Sequence, residues 1–559
     1  MLKTRQARLN IRLCARTIQR ATLILSIGCT AKNGITTPSD ASLTGNSGLN
    51  DGGPSGPTPS DASPSGDSGA DSGDAPLTCT PILNGDFEQA MTGWAFYADG
   101  TSSATSTVAN KVFTTIVQNG GSNTWNIGLA QAGLHVSKRK MYKVEFDAMS
   151  PGHYRMTSQV SMNQSPYYQY SGPHNFTLTD QLKHYSYSFP MMQSSDASAQ
   201  LSFYFGGRSV TAGTSVTFDN VTMTCLGDAP EEAIPTDFVR PTLTQMHRGV
   251  QFGLQFASPA EGAWGVPFSL DYLDAIKADG RFDSIRLPVL WETRTAPAAP
   301  YTIDPEFLHR IDWAVSHSLH RGFYTTLNMH WFHAMETNAP SNRDEFLATW
   351  SQIATYFKDY PDYLYFELLN EPNGDENTYW NTYLALAYDI VRQTNPTRTI
   401  IISGTYWAAM DHIADLQLPS RIVNDPNVMV QFHPYVPADF LFQGTVGNGT
   451  QFENLSGIRW LGTDTDKKLI TDPMDAVVAW SKQNNDIRLL NGEFCAHAGA
   501  SLREDRLRWT QFIVQESEKR GIPWNYYDFS EEGCGVYDVD TQTFDSVLMD
   551  TLFSSTSAP

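Results

Sequence analysis

The sequence has few cationic side chains, few cysteines and no long apolar run after residue 29. It contains 38 Lys and Arg against 59 Asp and Glu, a formal net charge of -21. Phosphate binding requires clustered cationic side chains, so this balance argues against a nucleic-acid partner. The cysteines form no CxxC pattern and HExxH is absent, which excludes the common zinc motifs. Without an apolar run of about 20 residues, no transmembrane helix is expected.

The chain is rich in aromatic side chains, with 13 Trp, 24 Tyr and 29 Phe among 559 residues. A chain of this length with 41% hydrophobic residues forms more than one buried core. Most large aromatic residues fill such cores, and the rest offer flat apolar faces that stack on sugar rings. The composition is therefore compatible with an uncharged ligand.

The N-terminus has the pattern of an export signal. Six cationic residues between positions 3 and 20 precede a short apolar run at 21–28, which ends in small residues before Cys29. This run resembles a bacterial lipoprotein cleavage site, although Ser26 stands where an aliphatic residue is usual. We expect residues 1–29 to be a signal peptide, with either a lipid anchor at Cys29 or simple secretion. The protein is then secreted or cell-surface, as an outer-membrane lipoprotein if Cys29 carries lipid.

Two further segments are predicted to connect domains. Residues 30–76 consist mainly of Ser, Gly, Asp and Pro, and they bury too little apolar surface to offset the entropy of ordering. We expect a disordered tether there. Residues 228–242 contain three prolines and form a short, stiff connector.

Residues 77–227 are predicted to form an all-β domain. Short alternating runs are separated by Gly, Asn, Ser and Pro, and no stretch has a good helical pattern. The runs lie at 111–117, 141–148, 185–189, 200–205 and 215–225. This pattern is typical of a β-sandwich.

Residues 243–555 are predicted to form an α/β domain. Eight β-like runs alternate with amphipathic helical patterns such as 307–319, 346–357 and 507–519. The runs lie at 249–255, 284–289, 323–329, 364–369, 399–403, 428–432, 487–491 and 524–528. This order indicates a (β/α)8 TIM barrel, whose active site lies at the C-terminal strand ends. The alternative, a doubly wound open sheet, lacks a glycine-rich phosphate loop after its first strand.

Four cysteines follow the predicted leader: Cys79, Cys225, Cys495 and Cys534. Such an even set is expected in an oxidising compartment. A Cys79–Cys225 bridge would join the first and last strands of the sandwich, and Cys495–Cys534 would lie at the barrel rim. Buried free thiols are the alternative.

Two predicted barrel strands end in carboxylates. Strand four runs into Asn370-Glu371-Pro372, and strand seven runs into Gly492-Glu493-Phe494. Glycoside cleavage needs two carboxyl groups on either side of the bond, one as acid and one as nucleophile or base. Asn-Glu-Pro alone is weak evidence because Asn and Pro are common turn residues. The pair at opposite strand ends is more specific.

Over about residues 248–552 the barrel resembles the cellulase-type glycoside hydrolase family 5. The matching residues lie at predicted strand ends: Arg286, His330, Asn370 and Glu371, the pair His433 and Tyr435, and Glu493. The resemblance implies that Glu371 is the acid/base and Glu493 the nucleophile. It also implies that Arg286 and Tyr435 support Glu493, that Asn370 contacts the sugar 2-OH, and that catalysis needs no cofactor.

One position departs from the family pattern. The last strand carries Tyr527 where the family usually has the Trp that forms the floor of the cleavage subsite. Tyrosine offers a smaller aromatic face. Further subsite candidates are Trp264, Trp291, Trp331 and Trp407. The aromatic residues of the long loop 434–468 either line outer subsites or pack within the loop.

The sandwich resembles the jelly-roll carbohydrate-binding modules of plant-wall hydrolases, on the sequences Asn84-Gly85-Asp86-Phe87-Glu88, Gly93-Trp94 and Phe218-Asp219-Asn220-Val221. In that family a structural calcium ties the first strand to the last, and Glu88 and Asp219 match its acidic ligands. Trp94 is expected in the core. The candidate ligand contacts are Trp125, Tyr97, Tyr167, Tyr168 and Tyr170.

These observations predict a secreted, monomeric, retaining endo-β-1,4-glucanase that acts on a β-linked plant-wall polysaccharide. Mannanase or mixed-linkage glucanase activity on the same scaffold is the first alternative. The second is a surface glycan-binding protein that does not cleave its ligand.

Overall fold

The computed structural model describes residues 80–554, apart from 101, 122, 153, 208–209, 230–232, 254, 446–447 and 531–532. The predicted signal peptide, the predicted tether and Cys79 lie outside these residues, so the predictions about them remain predictions. Within the described ranges, no helix is both long enough and apolar enough to cross a membrane.

The first domain is a sandwich of two antiparallel five-stranded sheets, in the orders β1-β4-β9-β6-β7 and β2-β3-β10-β5-β8. Its strands are β1 (Ala95–Ala98), β2 (Ser103–Ala109), β3 (Val112–Asn119), β4 (Ile127–Val136), β5 (Lys140–Met149), β6 (Arg155–Ser161), β7 (His174–Thr177), β8 (Lys183–Pro190), β9 (Asp196–Tyr204) and β10 (Thr214–Asp228). Alternate residues of each strand point inward, and Phe146, Phe203 and Phe218 pack together between the sheets. The predicted β-sandwich is confirmed.

Five of these strands, β1, β2, β4, β6 and β7, were not predicted from the sequence. Their sequences do not alternate between apolar and polar residues. β6 reads Arg-Met-Thr-Ser-Gln-Val-Ser and buries the polar residues Ser158, Gln159 and Ser161 together with its apolar residues. Polar side chains on both faces remove the period-two pattern on which strand prediction depends.

The second domain contains a closed parallel barrel in the order β11 to β18. Its strands are β11 (Arg248–Gln251), β12 (Ser284–Val289), β13 (Tyr324–Met329), β14 (Leu364–Glu367), β15 (Ile400–Ser403), β16 (Val428–Phe432), β17 (Arg488–Phe494) and β18 (Trp524–Tyr526). Each of the eight predicted runs overlaps one of these strands, which confirms the barrel, and β17 continues three residues beyond its predicted run to Phe494. A short hairpin, β19 (Tyr537–Asp538) and β20 (Thr543–Phe544), follows β18.

Several strands end earlier than predicted. β11 ends at Gln251 rather than at residue 255, and β14 ends at Glu367 rather than at 369. The chain then leaves the sheet to form the rim, so apolar residues such as Leu368 and Leu369 are buried without being in a strand. The predicted runs were too long because the buried rim residues are as apolar as strand residues.

Helices pack around the barrel, as the apolar periodicity predicted. In the described residues they span Leu270–Asp279, Pro305–His320, His333–Tyr356, Glu376–Thr394, Thr405–Ala408, Ser420–Val423, Ala438–Leu441, Thr450–Glu453, Asp464–Gln483, Arg503–Lys519 and Ser546–Leu552. The helix at 305 begins with Asp304, whose side chain accepts from the Glu306 N–H, and with Pro305 in its first turn. This cap fixes where the helix begins.

The rim loops are well packed. A Cys495–Cys534 disulfide, with Cα atoms 6.0 Å apart, joins the ends of the last two barrel strands and confirms that prediction. Cys225 has no disulfide partner among the described residues. In the loop 434–468 Phe440, Phe452 and Trp460 are buried, so these rings pack within the protein rather than line a subsite.

Candidate active site

A buried arginine organises the C-terminal end of the barrel. Arg286 lies on β12, fully buried, in register with Gln251 on β11. Its Nε and Nη2 donate to Glu367 Oε2 and Oε1 at 2.8 and 2.6 Å, a bidentate pair. Its Nη2 also donates to Asn370 Oδ1 at 2.6 Å, and its Nη1 to Glu493 Oε2 at 2.9 Å. One cation therefore orients both a structural and a candidate catalytic carboxylate.

Glu493, near the end of β17, accepts hydrogen bonds on both oxygens. Arg286 Nη1 and Gln251 Nε2 donate to Oε2 at 2.9 and 3.2 Å, and the Tyr435 hydroxyl donates to Oε1 at 3.1 Å. Burial leaves the pKa of Glu493 raised above its ordinary value, while the charge of Arg286 and the hydrogen bond from Gln251 oppose the shift. Three converging donors favour the ionised carboxylate.

Glu371 has a different environment. It lies four residues beyond the end of β14, and its Oε1 is 2.6 Å from His433 Nδ1. Burial raises the pKa of Glu371 to about 8, against the opposing charge of Arg286. With no direct bond from Arg286, this carboxyl group is protonated at neutral pH.

The two histidines of the site are neutral. Burial and the positive charge of Arg286 lower the pKa of His330 well below its ordinary value. Burial lowers the pKa of His433 to about 4, although the carboxylates Glu493 and Glu367 oppose the shift. A neutral imidazole has one donor and one acceptor nitrogen, so His433 can exchange a hydrogen bond with either protonation state of Glu371.

The two candidate catalytic carboxylates lie close together. One oxygen of Glu371, one oxygen of Glu493 and a ring nitrogen of His433 lie within 4.8 Å of one another. Three ligand atoms this close could also hold a metal ion. The positive charge beside Glu493 is supplied by the Arg286 guanidinium, 2.9 Å away. The arrangement suits a pair of carboxyl groups that act on one bond.

Residues 246–533 match the family described as Cellulase (glycosyl hydrolase family 5), and residues 81–213 match a carbohydrate binding domain. The chain belongs to glycosyl hydrolase family 5. The predicted family membership is therefore confirmed, as is the N-terminal carbohydrate-binding module.

Known relatives agree with this assignment. The chain is 33% identical over 346 residues to Endoglucanase H of Acetivibrio thermocellus, a match that covers 60% of this chain and 36% of that protein. A hyperthermophilic endo-beta-1,4-glucanase in complex with substrate superposes with a TM-score of 0.52 at 31% identity, over 56% of this chain and 97% of that one. Thermotoga maritima Cel5A in complex with mannotriose superposes with a TM-score of 0.52 at 33% sequence identity, over 55% of this chain and 96% of that one.

Aromatic residues surround the family 5 site. The Tyr527 N–H donates to Phe494 O at 3.1 Å, beside Glu493, and a Cβ on Gly253 would lie 3.0 Å from its ring. The same Cβ would lie 2.7 Å from Asp528 Oδ2, so a larger residue at 253 would require Tyr527 or Asp528 to shift. The Trp331 ring packs on His330 and on Trp264, with centroids 4.5 and 5.8 Å apart.

Trp407 lies in an unusual turn after β15. Tyr406, Trp407 and Ala408 have φ values of 53°, 59° and 53°, a conformation that costs about 1–3 kcal/mol at each non-glycine residue. The Trp407 N–H donates to Pro372 O at 3.2 Å, and Ala408 O accepts from His433 N–H at 2.9 Å. The strained turn thus brings the Trp407 backbone to Pro372, the residue that follows Glu371. Trp291 is different: it is fully buried with its Nε1 bonded to Asn328 O, so it forms no subsite.

Sequence reasoning missed the polar residues inside the barrel. Asn328 Nδ2 and Gln431 Nε2 donate to Glu367 Oε1 at 2.9 and 2.7 Å, and Gln251 contacts both Arg286 and Glu493. Each is a polar residue within a predicted strand, which was the available signal. Buried polar groups need partners, so such residues in several strands predict a network.

In the module, Trp94 is buried with its Nε1 bonded to Asn84 O, which confirms the predicted core position. Tyr170 is also buried, and its hydroxyl donates to Asp196, so it is a core residue rather than a ligand contact. Trp125 and Tyr167 are 57% and 58% exposed, and Tyr97 is half-buried.

The two candidate calcium ligands lie near each other. The Val221 N–H donates to Gly85 O at 2.9 Å, which ties the first segment to β10. Burial and the charges of Asp147, Asp86 and Glu88 raise the pKa of Asp219. Glu88 Oε2 already pairs with Lys111 Nζ at 2.7 Å. Carboxylates are the ligands that calcium prefers, but Lys111 competes for Glu88, and among the described residues these carboxylates do not form a group of three or more ligand atoms near enough to hold one ion.

Proposed function

We propose that this chain is a retaining endo-β-1,4-glucanase that hydrolyses β-glucan by double displacement. The observation that carries the proposal is the pair Glu371 and Glu493: their nearest oxygens lie within 4.8 Å, and their hydrogen-bond partners differ. Carboxyl groups about 5–5.5 Å apart are typical of retaining enzymes, whereas inverting enzymes hold them about 6.5–9.5 Å apart to admit water.

In the first step, ionised Glu493 attacks the anomeric carbon. Arg286, Gln251 and Tyr435 orient its two oxygens, and protonated Glu371 transfers its proton to the leaving glycosidic oxygen. Because Arg286 holds Asn370 Oδ1, the amide N–H groups of Asn370 face other partners, and we assign them to the sugar 2-OH.

In the second step, ionised Glu371 removes a proton from water, which attacks the same carbon and releases Glu493. Glu371 and Glu493 have oxygens within 4.8 Å of each other, and esterification of Glu493 removes its negative charge from beside Glu371, which favours ionisation of Glu371. The pKa of Glu371 then falls, and the same group acts as base. His433, at 2.6 Å, keeps Glu371 oriented in both steps.

The substrate class rests on similarity. One relative is named an endoglucanase and another an endo-beta-1,4-glucanase. These names favour a β-1,4-glucan that is cleaved at internal bonds of the polysaccharide. Thermotoga maritima Cel5A is described with mannotriose, so β-mannan is the second candidate. Tyr527, with its smaller ring, and the half-buried Trp331 and Trp407 would form the subsites.

Reducing-end release from carboxymethylcellulose, mixed-linkage glucan, mannan and xylan tests the proposal. We expect the highest rate on one of the two glucans, and a product of retained anomeric configuration by NMR at early times. Release from mannan alone supports the second candidate. No release from any polymer would reject the enzyme and leave a glycan-binding protein, and an inverted product would reject the nucleophile.

We further propose that the protein acts outside the cytoplasm as a monomer, either secreted or held at the cell surface by lipid on Cys29. The Cys495–Cys534 disulfide supports an oxidising compartment. A structural calcium ion on Glu88 and Asp219 is likewise a proposal, which a chelator-induced fall in melting temperature would support.

A further inference from the structure

The carbohydrate-binding module docks on the catalytic face of the barrel. Asp540, in the hairpin that follows β18, accepts from His174 Nδ1 at 2.8 Å and from the Asn175 N–H at 2.5 Å. Both His174 and Asp540 side chains are about nine-tenths buried. Gln193 Nε2 donates to Glu261 O at 3.1 Å, and a Cβ on Gly172 would lie 2.7 Å from Gly265 O. Contacts at three points fix the module against the loop after β11 and the last hairpin.

A cavity of about 1510 Å³ lies between the two docked domains. The outer face of the sheet β1-β4-β9-β6-β7 forms its module side. There Gln159 Nε2 donates to the Tyr204 hydroxyl at 3.2 Å, and Tyr97 packs over Gly128, where any Cβ would lie 2.4 Å from its hydroxyl. Exposed Trp125 and Tyr167 also line the cavity. Aromatic faces beside amide groups are what a sugar ring binds.

The barrel side of the same cavity leads toward the catalytic carboxylates. Trp264 is 40% exposed, lines the cavity, and packs on Trp331, which packs on His330 of the active site. Asp528, the residue after Tyr527, also lines it. The cavity itself does not include Glu371 or Glu493, so the two sites are neighbouring rather than identical.

We infer that the module and the barrel form one continuous binding groove, in which a single polysaccharide chain contacts the module face and the catalytic pair at once. The module then supplies distal subsites of the enzyme instead of acting as an independent tether. A tether would raise only the local concentration of enzyme on an insoluble surface, whereas distal subsites strengthen binding of each long soluble chain. This inference rests on the proposed glycoside hydrolase function.

Kinetics of the full chain on a soluble polymer and on a short substrate test the inference. We compare kcat/KM on hydroxyethylcellulose with kcat/KM on p-nitrophenyl cellobioside, which is too short to reach the module. In Trp125→Ala and Tyr167→Ala, we expect the polymer-to-short ratio to fall about fivefold to tenfold, through KM. The matched control is Leu182→Ala, a 52% exposed module residue outside the cavity, which should leave the ratio unchanged.

A docking variant provides an independent reading. Asp540→Ala removes the contacts to His174 and Asn175, and although Asp540 itself lines the cavity, the aromatic residues Trp125, Tyr167 and Trp264 are left unchanged. We expect the same fall in the polymer-to-short ratio, with a thermal unfolding profile that shows both domains folded. Ratios within twofold of wild type in all three variants of an active enzyme would overturn the continuous groove.

Failure of the proposed function gives a different result. If the wild type releases no reducing ends, the groove is tested by retardation of the same full-length variants in gels that contain hydroxyethylcellulose. Weaker retardation of Trp125→Ala and Tyr167→Ala than of Leu182→Ala would support the groove without catalysis. Equal retardation of all variants would overturn it.

Discussion

Glu371 and Glu493 stand at the ends of two strands of one barrel, yet their surroundings differ. Glu493 accepts hydrogen bonds from Arg286, Gln251 and Tyr435, whereas Glu371 faces the neutral His433. Burial raises the pKa of both, and for Glu371 to about 8. The comparison teaches that donors rather than burial separate a nucleophile from an acid in this site.

Removal of the nucleophile should have the largest effect. Glu493→Ala is expected to lower kcat on soluble glucan by about 10⁴-fold or more, because no other group can form the glycosyl intermediate. The matched control is Glu376→Gln, since Glu376 is another buried glutamate of the rim that contacts neither carboxylate. An active Glu493→Ala enzyme would assign the nucleophile to another residue.

Removal of the acid should have a smaller effect that depends on the leaving group. Glu371→Gln is expected to lower kcat/KM on glucan by about 10²–10⁴-fold, the usual contribution of general acid catalysis. A dinitrophenyl cellobioside needs no protonation to leave, so its first step should be almost unaffected and a burst of phenol should appear. Equal losses on both substrates would remove the distinction between the two carboxylates.

The structural carboxylate Glu367 should matter for stability. Its pKa is lowered by Arg286, Asn328 and Gln431 despite burial. Glu367→Gln leaves the buried Arg286 with Glu493 as its remaining charged partner, and we expect a loss of about 3–5 kcal/mol of unfolding free energy at pH 7. Glu371→Gln is the matched control and should not destabilise, because Glu371 has no cation bonded to it. Chemical denaturation measures both, and equal losses would contradict the assignment.

The pH profile should show the smallest and most specific effect. Glu371 must be protonated to act as acid, so kcat/KM should fall as pH rises through about 8, by about tenfold for each further unit. The profile of kcat/KM reports the free enzyme, in which Glu493 is ionised. A limb near pH 5 would show that the Glu371 pKa is not raised. A limb that persists in Glu371→Gln would assign it to another group.

The raised pKa of Glu371 also affects the free energy of unfolding. A salt bridge lowers the pKa of a carboxyl group and makes stability rise with pH, whereas a raised pKa makes stability fall with pH. The folded pKa of Glu371, about 8, exceeds the ordinary value of 4.5, so the folded state holds its proton more tightly. Below pH 4 both states are protonated and the group has no effect. Between these values the unfolded state ionises first, and stability falls as pH rises. The free acid therefore makes the site less stable at the pH at which it works.

The barrel was predictable because its strands are short apolar runs that alternate with capped, amphipathic helices. Eight predicted runs overlapped the eight strands, and polar residues at their ends marked Glu371, Glu493 and His433. The sandwich was less predictable: β6 and β4 mix polar and small residues, so only the strands with apolar alternation were identified. Rings such as Trp291 and Tyr170 could not be sorted into core or surface by sequence, since both environments accept an aromatic side chain.

The sequence by itself determined the order of strands in the barrel, the family and the positions of the candidate catalytic groups, because these depend on local periodicity and on residues at strand ends. The tertiary structure decided what those groups contact. Gln251, Glu367 and Gln431 come from three different strands, and only closure of the barrel brings Gln251 and Glu367 to Arg286 and Gln431 to Glu367. Likewise, only docking of the module brings Trp125 and Trp264 to one cavity. Electrostatics and ligand binding depend on distances in space, which sequence separation does not specify.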